Sequence, residues 1–341
     1  MDFRVTEAQQ ELRNAVQSFC RTRVTVSLLH ELANKDGFDR SLWKELAELG
    51  VFGLRRAEAR GGSGLGMAEA VLVFEELGRC LAPGPLVWSH LAADLVDGAA
   101  SGAVVVGALD LTGAAPAPYL VEHWAALDVV LLLKPDGVER LDPKRLPVQS
   151  VSTPLDPLTP LHHAESLPDG EPIAGADVAH RLRLEGTTLA AAQLLGIAEA
   201  TLELAISYAK MREQFGRAIG SFQALKHMMA DMFARQELAR AGVYAAAATL
   251  DRPEVGDVEL AAAAAKLVAG EAAMKNARAC IQIHGGMGYT WEVPAHYYFK
   301  RAWVLESSFG TIDEHSARLA EKVAAVSVES APLSGPRAGS A

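Results

Sequence analysis

Residues 212–216 read Arg-Glu-Gln-Phe-Gly at the end of a long helical pattern, and residues 282–288 read Gln-Ile-His-Gly-Gly-Met-Gly. An arginine with a nearby aromatic can clamp a phosphate and stack on a flat ring. A glutamine beside two glycines can bring a side-chain amide and bare backbone N–H groups up to a dinucleotide. Either stretch alone is a weak signal. Together they point to a helical protein that presents a nucleotide site.

Working outward, 341 residues exceed the length over which one core usually keeps growing, so two or three subdomains are expected. Half of the residues are apolar, 22% are charged and only 6% are aromatic, and alanine dominates the second half. That composition suits long, tightly packed helices better than sheets. The net charge of -10 and pI near 5.5 repel nucleic acid and anionic membranes at long range, so any anionic ligand needs a local positive site. Cys20, Cys80 and Cys280 are odd in number and widely spaced, with no Cys-x-x-Cys pair to suggest zinc or a redox dithiol. The N-terminus is polar and amphipathic, and no run of about 18 uncharged apolar residues appears. A soluble, cytoplasmic protein is expected, with no nucleic-acid, membrane or metal partner.

Apolar positions Leu12, Val16 and Phe19 predict a helix from Thr6, as cap, to about Arg23. A second helix is predicted over Ser41–Leu49 with Gly50 as its stop, and a third over Met67–Gly78. Gly61-Gly62-Ser63-Gly64-Leu65-Gly66 superficially resembles a phosphate loop, but charged, alanine-rich residues precede it where a dinucleotide fingerprint needs a buried strand. A mobile turn is the better account. Residues 101–185 carry β-type runs at Val104–Val106 and Val129–Leu133 among many prolines, and read as a reduced β-rich domain that packs on helices. Helices are predicted near 187–213, 221–250, 256–282, 293–307 and 312–326. The stripe Phe222, Leu225, Met229, Met232 and Phe233 reads as bundle core. The domains expected are therefore 1–100, helical; 101–185, β-rich; 186–328, a helical bundle; and 329–341, a disordered Pro/Gly/Ser-rich tail.

Four ordered motifs then resemble the acyl-CoA dehydrogenase family: Glu58–Glu69, Tyr208–Gly216, Phe222–Met232 and Ile281–Glu292. The resemblance implies a mainly α fold, with an N-terminal helical domain, a middle β domain and a C-terminal four-helix bundle. It implies FAD at a subunit interface, an acyl-CoA substrate, and electron-transfer flavoprotein as electron acceptor. It also implies that Arg212, Gln214, Phe215, Gln282, Gly285 and Gly286 contact the adenine and pyrophosphate end of a neighbour's flavin. His284 reads as structural, because nothing nearby orients it as a base.

The chain also departs from the family. Most members place the catalytic glutamate before a Gly-Thr near the C-terminus, and here Phe309 precedes Gly310-Thr311. Others place it at the start of the helix leading to Arg-Glu-Gln-Phe-Gly, where Glu185 falls one residue short of register, about 100° around a helix. A capping or solvated role suits Glu185 better, and the catalytic residue is left unassigned. Asp313 aligns with a flavin-contacting position. The arginine that usually contacts CoA is replaced by Thr187, and nothing in the middle domain matches the family's ring-binding segment. The pattern resembles a homo- or hetero-oligomer subunit, dimeric or tetrameric, that completes another chain's flavin site. The string Gly288–Glu292 resembles heteromeric members from actinobacterial steroid side-chain degradation. Two alternatives stand beside this reading: a self-sufficient enzyme using Glu185, and a flavin-free helical scaffold.

Overall fold

The computed structural model describes residues 5–113 and 117–329. Five helices come first: α1 (Glu7–Arg23), α2 (Val26–Ala33), α3 (Arg40–Glu48), α4 (Met67–Arg79) and α5 (Leu86–Leu91). Their starts follow from the sequence. Thr6 and Gln9 form a reciprocal capping box on α1, and the Asp39 carboxylate accepts from Ser41 and Leu42 N–H on α3. The α4 N-terminus is occupied from within, because Asp251 accepts from Met67 N–H at 2.7 Å and Ala68 N–H at 2.9 Å. The glycine loop before α4 is thus a closed turn. A Cβ on Gly62 would stand 2.1 Å from the Arg56 carbonyl oxygen.

Among the described residues the middle module holds seven strands: β1 (Val106–Asp110), β2 (Tyr119–Glu122), β3 (Val129–Lys134), β4 (Gly137–Leu141), β5 (Val148–Ser150), β6 (Leu161–Ala164) and β7 (Glu171–Gly175). They form a four-stranded sheet of order β1-β3-β4-β7, with β1 and β3 parallel, and a three-stranded sheet of order β2-β6-β5. β3 is buried along nearly its whole length, which explains the continuous apolar run Val129–Leu133. This module does not pack by itself. Its apolar residues share one core with the N-terminal helices and the bundle.

The bundle comprises α6 (Ala176–Met211), α7 (Gln223–Asp251), α8 (Val258–His284), α9 (Ala295–Ser307) and α10 (Ile312–Glu329). Two expectations need correction here. α6 starts at Ala176, not near 187, so the helical region begins inside the span assigned to the middle domain. Phe233, read as core, is 55% exposed, while Met232 beside it is fully buried. α6 is apolar enough to cross a membrane by length and composition, yet 83% of that window is buried against its neighbours. α4 crosses it closely: a Cβ on Gly196 would lie 1.9 Å from the Glu75 carbonyl oxygen, and one on Gly78 2.1 Å from that of Gln193. Only glycine permits that approach. The tail expected beyond Glu329 lies outside the described residues.

Candidate functional site

Tyr208 near the end of α6 stacks on His284 at the end of α8, with ring centroids 4.2 Å apart. The His284 Nδ1–H donates to the Cys280 carbonyl at 2.8 Å, and burial lowers its pKa, so it serves as a neutral packing group. A second apolar cluster, including Leu202, Ile219, Met232 and Ile281, fixes the same end of the bundle. The two motifs quoted at the outset therefore share one end of the molecule.

Arg212 terminates α6 with extended backbone, and β8 (Glu213–Gln214) pairs with β9 (Arg217–Ala218) around the tip Phe215-Gly216. The Ile219 N–H closes this hairpin by donating to the Arg212 carbonyl at 2.8 Å. Phe215 at the tip is 92% exposed with φ +53°. A left-handed, β-carbon-bearing residue costs about 1–2 kcal/mol, and the ring's aromatic contact within the chain is edge-on to Phe222, with centroids 6.2 Å apart. Arg212, Gln214, Gln282, Gly285 and Gly286 are exposed as well. Gly285 needs glycine for its φ of +61°. Among the described residues nothing lies within 4 Å of a Cβ built on Gly286, so the backbone there is open to an approaching group. Met211, Tyr289 and Trp291 are 76%, 78% and 58% exposed. The donor set fits the dinucleotide end of a flavin approached from outside, bounded by apolar groups that need covering.

The opposite requirement, a carboxylate facing a substrate, is not met where the family pattern puts it. Phe309 is buried, and a Cβ on Gly186, the residue after Glu185, would lie 2.2 Å from its ring. The Trp88 ring also packs against Phe309, tilted, with centroids 4.4 Å apart. The two positions at which the family resemblance implies a glutamate thus meet and close on each other. The loop is firmly held: Lys266 Nζ, fully buried, donates to the carbonyls of Glu306, Ser308 and Gly310 at 2.9, 2.5 and 2.8 Å, and the Phe309 carbonyl accepts from His315 Nε2 at 3.0 Å. Phe309 itself has φ +57°.

Glu185 is neither a cap nor solvated, which corrects the expectation. It lies well inside α6 and is 8% exposed, because the helix begins at Ala176. Its Oε1 accepts from Arg55 at 2.7 Å, a pairing that raises the guanidinium pKa against burial. Thr187 donates its hydroxyl back to the Arg183 carbonyl. A cavity of about 320 Å³ beside it, between α6, α8 and α10, is lined by His180, Arg183, His315, Arg318 and Lys322. Much of its positive charge is matched internally: Arg183 by Asp110, and Lys322 by Asp257 and Glu259. Asp313 is exposed in the first turn of α10. Sequence reading missed Trp88 and Arg55; the signal available was Gly186, a glycine inside an alanine-rich helix that only a close neighbour explains.

Comparison with known proteins decides the family. The acyl-CoA dehydrogenase N-terminal domain matches residues 6–101 and the C-terminal domain matches residues 174–324. Acyl-CoA dehydrogenase IpdE2 of Mycobacterium tuberculosis is 36% identical over 317 residues, covering 87% of this chain and 91% of that protein. The chain belongs to the acyl-CoA dehydrogenase family. This acyl-CoA dehydrogenase homologue is accordingly an oxidoreductase of the class acting on CH–CH bonds, and its mainly α fold is the family's. The structure of the ChsE4-ChsE5 complex from Mycobacterium tuberculosis aligns with TM-score 0.81 and 26% identity, covering 95% of this chain and 99% of that one. Butyryl-CoA dehydrogenase from Megasphaera elsdenii aligns with TM-score 0.80 at 23% identity, covering 95% of this chain and all of that one, and attests the fold.

Proposed function

We propose that this chain is one subunit of a hetero-oligomeric, FAD-dependent acyl-CoA dehydrogenase, and that it closes the adenine and pyrophosphate end of a flavin held mainly by another chain. The observation that carries this reading is the closure of Phe309 on Gly186 under Trp88, set against an exposed and strained dinucleotide-facing end. One half of a site is filled in and the other is held open.

When bound, FAD supplies the hydride acceptor for α,β-dehydrogenation of a CoA thioester. Arg212 would place a fixed positive charge toward the pyrophosphate, and Gln214 and Gln282 would offer amides to the nucleotide. Phe215 would stack or seal the adenine side, and Gly285 and Gly286 would admit it without a side chain in the way. The partner chain would supply the base and the ring-binding segment. Its acyl group is read as a steroid or other bulky group from Gly288–Glu292, with electron-transfer flavoprotein as the acceptor. That solved structures of this fold include a complex of two named chains supports assembly with a second family member. The third reading, a flavin-free scaffold, leaves the exposed Phe215 and open Gly286 without a role.

The test is expression of the chain alone and with a second acyl-CoA dehydrogenase chain encoded beside it, followed by flavin absorbance per chain and turnover on a panel of acyl-CoA thioesters. The chain alone should be colourless and inactive, and the complex yellow and active. In the complex, Arg212→Ala should lower flavin occupancy at least tenfold at limiting FAD. A full equivalent of FAD with dehydrogenase activity in the chain alone overturns the proposal.

A further inference from the structure

Sequence spacing set Cys20 and Cys80 apart, and the fold brings them together. Their Sγ atoms are 3.0 Å from each other, about 1 Å longer than a disulfide bond and too close for indifferent neighbours. Both are free thiols. The contact ends a seam along which α1 lies on α4: Gln9 on Glu69 at 2.7 Å, Arg13 on Glu76 at 2.7 Å, and then Cys20 on Cys80. Positions 9, 13 and 20 share one face of α1, and both helices run the same way. The thiols are therefore held in register by contacts earlier in the seam.

We propose that Cys20 and Cys80 form an oxidative modification site, a dithiol that takes a peroxide, or a low-molecular-weight disulfide, and closes to a bond tying α1 to the end of α4. Cys80 is partly exposed and meets the oxidant; Cys20 is buried, and its hydrogen bond with Cys80, followed by burial, pushes its thiol pKa up, so it does not start the reaction and resolves it by its place against the Cys80 sulfur. With hydrogen peroxide, the Cys80 thiolate attacks one oxygen, the O–O bond breaks, and the released hydroxide takes up the proton Cys80 gave up, leaving as water. The Cys20 sulfur then attacks the Cys80 sulfenic acid, the S–O bond breaks, and the departing hydroxide carries off the Cys20 proton as a second water. Two thiols are oxidised and one peroxide is reduced. Cys280 takes no part; it is buried on α8, with its Sγ 3.7 Å from His284 Nδ1.

The bond would join positions 60 apart in sequence, with α2 to α4 between them, and restrain the unfolded chain accordingly. The purified full-length protein, treated with hydrogen peroxide and separately with oxidised glutathione, should lose two hydrogens in intact mass. Non-reducing peptide mapping should give one linked pair, Cys20 with Cys80. Oxidation should raise Tm on the order of 5 °C, reversibly with a thiol reductant. Cys20→Ser and Cys80→Ser should each abolish the linkage and the Tm shift, and Cys280→Ser should leave both. If the folded protein instead accumulates sulfinic acid or a stable glutathione adduct on Cys80 with no linked peptide, the proposal fails. A linked pair that forms only after denaturation overturns it equally.

Discussion

Phe309 concentrates the logic of the site in one side chain. Its backbone adopts a left-handed conformation, held by Lys266 and His315, and its ring fills the space over Gly186 beneath Trp88. Phe309→Ala should therefore remove packing that nothing can replace, lowering stability by about 3–5 kcal/mol in denaturant unfolding. Flavin occupancy of the complex should not change, because the ring lies away from the exposed dinucleotide end. Glu185 tests the rival assignment at the same scale. Glu185→Gln leaves Arg55 without its charged partner and should lower Tm, but turnover of the loaded complex should match the parent. A large loss of turnover at an unchanged flavin load would restore Glu185 as the base.

At the scale of elements, α1 is bound to α4, α6 and α7 by a buried ionic network. Arg13 meets Glu75 at 2.9 Å and Glu76 at 2.7 Å, and Tyr244 donates to Glu75 at 2.8 Å. Burial pushes the Glu75 carboxyl up, to about 7, with Arg13 the main opposing charge. Arg13→Ala removes that carboxylate's main opposing charge, leaving Arg240 at 3.9 Å, and should cost about 3 kcal/mol. The cost should shrink at pH 6, where Glu75 takes a proton, and grow at pH 8. Arg23→Ala, which breaks an exposed pair with Glu45, should cost under about 1 kcal/mol at either pH. The order of helices was legible because apolar spacing and caps such as Thr6 and Asp39 are local signals. The start of α6 was not, since Ala176 to Glu185 gain their helix from packing that no local pattern records. The same holds for Trp88 on Phe309 and Cys20 on Cys80, contacts between residues far apart in the chain. The residues proposed to face the flavin were named from the family resemblance, and the fold adds that they share one exposed end.

Over the whole molecule, buried neutral histidines set the response to acid. Burial pushes His90 down to about 4, His123 to about 3, and His296 and His315 to about 4, each from an ordinary value of 6.5. In the unfolded chain these groups take up protons from about pH 6.5 downward, whereas in the fold they resist until near pH 4. Stability they contribute is complete above pH 6.5 and is lost as pH falls toward 4. Glu75 and Glu122, both pushed up to about 7 by burial, act in the opposite direction between pH 7 and 4.5, but four histidines outnumber two carboxyls. Tm should therefore begin to fall just below pH 6.5, before ordinary carboxylates titrate. His90 isolates one contribution, because its Nδ1–H donates to the Val51 carbonyl at 2.8 Å and an amide can make the same bond. His90→Asn should reduce the stability lost between pH 7 and 4 on the order of 3 kcal/mol, read from urea unfolding at each pH. An unchanged slope would show that His90 does not resist protonation in the fold, and would assign the acid response to the remaining histidines.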